Sequence, residues 1–308
     1  MDTKAPKPGT LGGLNETYCR EQHFVNLADR TKRDYRQCAA FLENILDTPA
    51  HRIDTPLVAA IHDKAAQKIG WRRANMLHTF LYEVFRFNIP EGQISVTFAE
   101  TVIPKPRPAD KARANRPWTV EELTKVLDVA PAQIRPVIAL IANTGLDPSD
   151  ALNLCRDKIE GGVIWALHGR VGNPSPLPIT LRLQNVLDAI AKHNAITVLA
   201  STNGTPWTHN GFSTVWYRFR TKQVEAGLIP AGLTLKGLRH MVATILREAG
   251  KTPCEIADLL GQKTASMAVW YSRDGKLAQC NLKTMQTLDA KTERRTKIVK
   301  PFHKSVKF

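Results

Sequence analysis

Apolar residues recur at spacings of three and four along much of the chain. Between Leu27 and Leu46 the stripe is Tyr35, Ala39, Leu42 and Leu46, with Lys32, Arg33 and Arg36 lying off it, which predicts an amphipathic helix. Two more helical stretches are predicted from Pro56 to Ile69 and from Arg72 to Phe87. Residues 1–22 carry Gly9, Gly12 and Gly13 with little periodicity and read as a flexible arm. Residues 23–102 then form a small helical domain.

Residues 103–117, IPKPRPADKARANRP, hold four prolines and five Lys or Arg against one Asp. Such a segment is a stiff, extended, positively charged linker. Beyond it, Thr119 with Glu122 three residues on forms a capping box that starts a helix through Val129. An apolar helix from Ile134 to Asn143 stops at Thr144-Gly145. Two β-rich runs, Val163 to Leu167 and Pro176 to Ile179, flank Gly172-Asn173 and read as a hairpin. The rest of this second domain, residues 118–290, is predicted helical. In the segment LTLKGLRHMVATILREAG the buried stripe is Leu238, Val242, Ile245, Leu246 and Ala249, ended by Gly250. Thr252-Pro253-Cys254-Glu255 opens a further short helix with its own capping box. The tail, residues 291–308, has seven Lys or Arg and one Glu; it is a solubilising end or a phosphate-binding arm.

Composition narrows the partners. The 308 residues are 43% hydrophobic, enough for two cores, and carry a net charge of +15. A polyanion is the expected partner. Nucleic acid is favoured over membrane, because no run of 18 or more apolar residues, signal-peptide core or lipidation motif is seen. A cytoplasmic, nucleoid-associated location is expected. The five cysteines are scattered and never in a CxxC pair, which argues against disulfides and structural zinc. With no P-loop, GxGxxG or HExxH motif, no cofactor is expected.

Three ordered segments between about Trp118 and Lys283 resemble the boxes of the tyrosine recombinase, or phage integrase, catalytic domain. NTGLDPSDALNLCRDKI is similar to the first box, with Asp150 in its acidic place and Asp147 where the family has an arginine. Arg170, in HGRVGN, stands where the family's hairpin carries a lysine. Lys236-Gly-Leu-Arg239-His240 is similar to the family's His-x-x-Arg-His, with Lys236 in the place of the first histidine. Gln262 replaces a His or Trp, and in KTASMAVWYSRD the place of the active tyrosine falls on Tyr271, 32 residues after Arg239. The resemblance implies a mainly α fold: a helical core-binding domain and a helical catalytic domain with a small antiparallel sheet, closing on duplex DNA as a C-shaped clamp.

It also implies a reaction in which the tyrosine attacks a backbone phosphate without metal or nucleotide, aided by cations, a base and an acid. Tyr271, Arg239, Arg170, Lys236 and Gln262 are the candidate set. Losing an oriented cation at Asp147 costs roughly 3 to 4 kcal/mol. A carboxylate near the phosphate adds repulsion of about 3 to 4 kcal/mol at an effective dielectric near 20. Together these amount to about four to six powers of ten in rate. Relief is expected where Asp147 pairs with Arg135, Arg156 or Lys236. Binding rests on many cations, with candidates Lys32, Arg33, Arg36, Arg72 and Arg73 in the first domain, Lys105, Arg107, Lys111 and Arg113 in the linker, and Lys263. The function expected is DNA binding as a repressor or architectural protein with cleavage reduced or lost; the alternative is an active recombinase. Expected partners are double-stranded DNA, further copies of the chain on DNA and accessory DNA-bending proteins. His240 is read as a structural histidine, and Trp216 to Arg220 as a packing face rather than a base-stacking one.

Overall fold

The computed structural model describes residues 7–111, 114–167, 174–275, 281 and 284–290. Two compact units part between residues 112 and 113.

The first unit is helical: α1 (Leu11–Arg20), α2 (Gln22–Val25), α3 (Asp29–Phe41), α4 (Thr55–Ile69) and α5 (Trp71–Asn88). Tyr18, Phe80, Phe85, Leu14, Leu77 and Leu81 fill its core. Asp54 caps α4 by accepting from the Leu57 N–H at 2.8 Å, and Gly70, at φ 83, lets α5 follow α4 directly. The expected helix over residues 27–46 stops at Phe41, and a 3-10 turn over Glu43–Ile45 takes its place.

The flexible arm expected over residues 1–22 is corrected from Thr10 onward. Thr10 caps α1, whose Leu11, Leu14 and Tyr18 are buried, and the Asn88 amide donates to the Leu14 carbonyl at 3.0 Å. The spacing of those apolar residues was present in the sequence but masked by glycine content. Gly13 is there for space, since a Cβ would lie 2.6 Å from the Lys7 carbonyl oxygen.

The second unit contains α6 (Val120–Val129), α7 (Arg135–Thr144), α8 (Pro148–Leu152), β1 (Ile159–Glu160), β2 (Val163–Leu167), β3 (Pro174–Pro178), α9 (Leu181–Asp188), α10 (His209–Glu225), α11 (Leu235–Glu248), α12 (Pro253–Leu259) and α13 (Ala265–Tyr271). The fold is mainly α with a small antiparallel sheet of order β1-β2-β3. Its register sets Ile164 opposite Leu177 and Trp165 opposite Pro176, so that Ile164 and Leu177 are buried while Trp165 faces out. Strand β1 was not anticipated, and the turn at Gly172-Asn173 lies outside the described residues. So does the tail.

Both capping boxes, Thr119 with Glu122 and Thr252 with Glu255, are formed in full. Continuous helix after the hairpin is corrected: residues 189–208 are non-helical and carry isolated bridges, Cys155 with Thr197 and Ala200 with Pro206. Asn194, Asn203, Gly204 and Pro206 break helix there. The ends of the basic linker are fixed rather than free. Lys105 exchanges two backbone hydrogen bonds with the Asn75 amide, at 2.8 and 2.9 Å, and pairs with Asp63. Arg116 grips Glu122 through both carboxylate oxygens, at 2.6 and 2.8 Å.

The start of α11 is wedged into the second core. Trp118 donates to the Thr234 carbonyl at 2.8 Å and stacks on Trp216 at 5.9 Å, and a Cβ on Gly237 would lie 2.5 Å from the Arg116 carbonyl. Buried Trp216 agrees with the packing reading of its segment, although Tyr217 is exposed. The expected stripe on α11 is corrected: Leu235, Leu238, Arg239, His240, Met241 and Ala243 are buried, while Ile245 is 44% exposed. Helices α7, α12 and α13 all pack on α11, so its burial is not confined to one stripe, while Ile245 and Ala249 are exposed.

Candidate active site

Tyr271 and Arg239 share one cleft of about 560 Å³, lined also by Lys236, Gln262, Asp147 and Asp150. Each is placed by a helix end. Asp147 caps α8 by accepting from the Ser149 N–H at 3.1 Å, Lys236 and Arg239 lie in the first turns of α11, Gln262 follows α12, and Tyr271 ends α13.

Arg239 is only 6% exposed. Its Nη1 donates to the Gly145 carbonyl at 2.7 Å and its Nη2 to the Leu260 carbonyl at 2.6 Å; Nε has no partner among the described residues. Gly145 ends α7 at φ 70, and a Cβ there would meet Leu260 Cδ2 at 2.5 Å, so only glycine brings that carbonyl to the guanidinium. Arg239 lies over the Tyr271 ring, 5.4 Å from its centroid. Burial lowers the Arg239 pKa, while Tyr271, Asp147 and Asp150 pull it back up.

Asp147 turns to Lys236, Nζ to Oδ2 3.6 Å, with about a third of each side chain exposed. Of the three expected partners it takes the one inside the cleft. The pair removes the carboxylate's bare charge and, by the same contact, occupies a cation. Both amide atoms of Gln262 are without partners among the described residues. Arg170 lies outside the described residues.

Tyr271 is 9% exposed. Its ring stacks on His240 at 4.3 Å, and the His240 Nδ1 is 2.9 Å from the Tyr271 carbonyl oxygen, the structural role read for that histidine. Burial depresses the His240 pKa. A depressed folded value gives stability that is present above the unfolded pKa of about 6.5 and lost as pH falls from there through the folded value. Thermal unfolding between pH 7.5 and 5 should therefore show a declining midpoint, and His240→Asn should flatten the decline; an unchanged slope in the variant rejects the assignment.

In the first unit Arg33, Arg72 and Arg73 line one groove of about 710 Å³ between α3 and α5. Arg36 is exposed but does not line it, and Lys32 lies 3.9 Å from Asp29. Among the linker cations, Arg107 donates to the Lys111 carbonyl at 2.8 Å, Lys111 is exposed, and Arg113 is outside the described residues. Lys263 is exposed next to Gln262. Missed by sequence reasoning was His209, the first residue of α10, which lines the cleft with Tyr271. No motif spacing links position 209 to 236 or 271; only the Thr208 cap before it was readable.

Among the described residues no His, Cys, Asp or Glu group is arranged to hold a metal, and no helix is long and apolar enough to cross a membrane.

A helical unit with a small antiparallel sheet and a cleft uniting tyrosine and arginine has the architecture of a tyrosine recombinase catalytic domain. The phage integrase family model matches residues 116–276, over half of the chain, and the chain belongs to that family. Similar solved structures include a lambda integrase dimer bound to a COC′ core site, 20% identical, with 85% of this chain and 95% of that chain covered and a TM-score of 0.73. A lambda integrase tetramer bound to a Holliday junction is 22% identical, covering 87% and 79%, with a TM-score of 0.71. The Tn1549 transposon integrase with transposon right end DNA is 16% identical, covering 90% and 99%, with a TM-score of 0.75. No curated protein matches the chain.

Proposed function

We propose that this protein binds duplex DNA, holds a backbone phosphate in the Tyr271 cleft, and cleaves the strand slowly or not at all, so that it acts mainly through binding, as a repressor or architectural protein. The observation that carries this reading is the Asp147–Lys236 pair inside the cleft. Tyr271 and Arg239 share the cleft, yet the pair ties up Lys236, the only Lys or Arg besides Arg239 that lines it among the described residues. Binding draws on the groove arginines Arg33, Arg72 and Arg73 and on the charge of +15. Several copies are expected to assemble on DNA, as the dimer and tetramer of lambda integrase do.

One observation favours the alternative of an active recombinase: Asp147 points to Lys236 and makes no hydrogen bond to Arg239. A nicked suicide duplex decides between them. Covalent DNA on the wild type and none on Tyr271→Phe establishes cleavage; its rate on the wild type measures how far it is reduced.

Binding is expected to be steeply salt-dependent. With six to ten phosphates neutralised, affinity for duplex should drop by about 10³-fold or more between 50 and 200 mM salt. Fluorescence anisotropy with duplex and single-stranded RNA checks both slope and preference, and a flat response removes the DNA-binding reading.

A further inference from the structure

Attack of a phenol on a phosphodiester requires a group that takes the phenolic proton. The residues so far assigned to the cleft do this poorly. Arg239 does not give up its proton, a glutamine amide does not titrate, Asp147 and the Lys236 ammonium are paired with each other, and the Asp150 carboxylate already has a partner. His240 is fully buried, with Nδ1 committed to the Tyr271 carbonyl.

His209 is different. It lines the same cleft and is exposed, and it has no hydrogen-bond or ion-pair partner among the described residues. Its position is held from two sides. Thr208 caps α10 by accepting from the Gly211 N–H at 3.0 Å, and α10 packs against α8, the helix that Asp147 caps.

We propose that His209 is a further catalytic residue, the imidazole that takes the phenolic proton of Tyr271. The proposal rests on the cleft being a phosphate site. As the Tyr271 oxygen bonds to phosphorus, its proton passes to the unprotonated ring nitrogen of His209, directly or through one water. The bond from phosphorus to the 5′ oxygen breaks, and that oxygen takes a proton from water at the open mouth of the cleft. Rejoining runs the same transfers backwards. Lining the cleft with His209 are Asp147, at the start of α8, Asp150 from α8, Lys236 and Arg239 from α11, and Tyr271 from α13.

The test uses the nicked suicide duplex with the full chain, in the wild-type background and in a faster Asp147→Arg background, each with and without His209→Ala. Protein is kept saturating over DNA so that adduct formation, not affinity, is read. His209→Ala is expected to slow the adduct by about 100-fold and to be partly restored by free imidazole. Free imidazole should do nothing for Tyr271→Phe. Equal rates with and without His209, or no adduct in either background, overturns the proposal while duplex retention on the same samples leaves the DNA-binding reading standing. Failure to retain duplex overturns both.

Discussion

Asp147→Arg is expected to raise the rate of covalent adduct formation on a nicked suicide duplex by at least about 100-fold, on the scale of removing one repulsive charge and adding one oriented cation. The substitution does three things at once. It removes a carboxylate from the cleft proposed to hold a phosphate, it supplies a guanidinium in its place, and it releases Lys236 from its 3.6 Å pair. Asp147→Asn separates these: it abolishes the charge and frees Lys236 but adds no cation, and should recover about 10-fold as the smaller, partly screened share of the effect. Losing the cap of a five-residue helix costs about 1 kcal/mol, too little to unfold the unit. Adding Lys236→His to Asp147→Arg relieves the crowding of cations and should raise the rate again. An Asp147→Arg protein that holds duplex as tightly as wild type and forms adduct no faster shows that Asp147 is not what limits the chemistry.

Local signals were readable and distant ones were not. The capping boxes at Thr119 and Thr252 concern residues three apart, so type and spacing alone specify them. The same holds for Gly145, whose left-handed turn ends α7. The set of Tyr271, Arg239, Lys236 and Asp147 was legible through its resemblance to a family, and the fold brings all four to one cleft. What escaped depends on tertiary approach. Helix α1 owes its stability to burial of Leu14 and Tyr18 against α5 rather than to propensity, and its glycines argued the wrong way. The choice of Lys236 over Arg135 or Arg156 as partner for Asp147 follows from how the starts of α8 and α11 meet. His209 enters the cleft only because α10 packs on α8, a relation with no trace in spacing.

Arg239→Ala is expected to cost about 2 to 6 kcal/mol of stability, an effect separate from the loss of the proposed phosphate contact. In this chain the guanidinium is a structural bridge: it ties the carbonyl that ends α7 to the carbonyl that follows α12, across sequence separations of 94 and 21 residues. Truncation leaves both acceptors buried without a donor, at about 1 to 3 kcal/mol each, and opens space beneath the Tyr271 ring. Arg239→Lys restores charge but not a fork able to reach two carbonyls, so it should recover only part of the loss. The consequence bears on any measurement of activity: an inactive Arg239→Ala protein reports on catalysis only where circular dichroism shows the second unit still folded. Thermal unfolding of wild type and both variants tests the bridge, and midpoints that coincide show that Arg239 carries none of the fold.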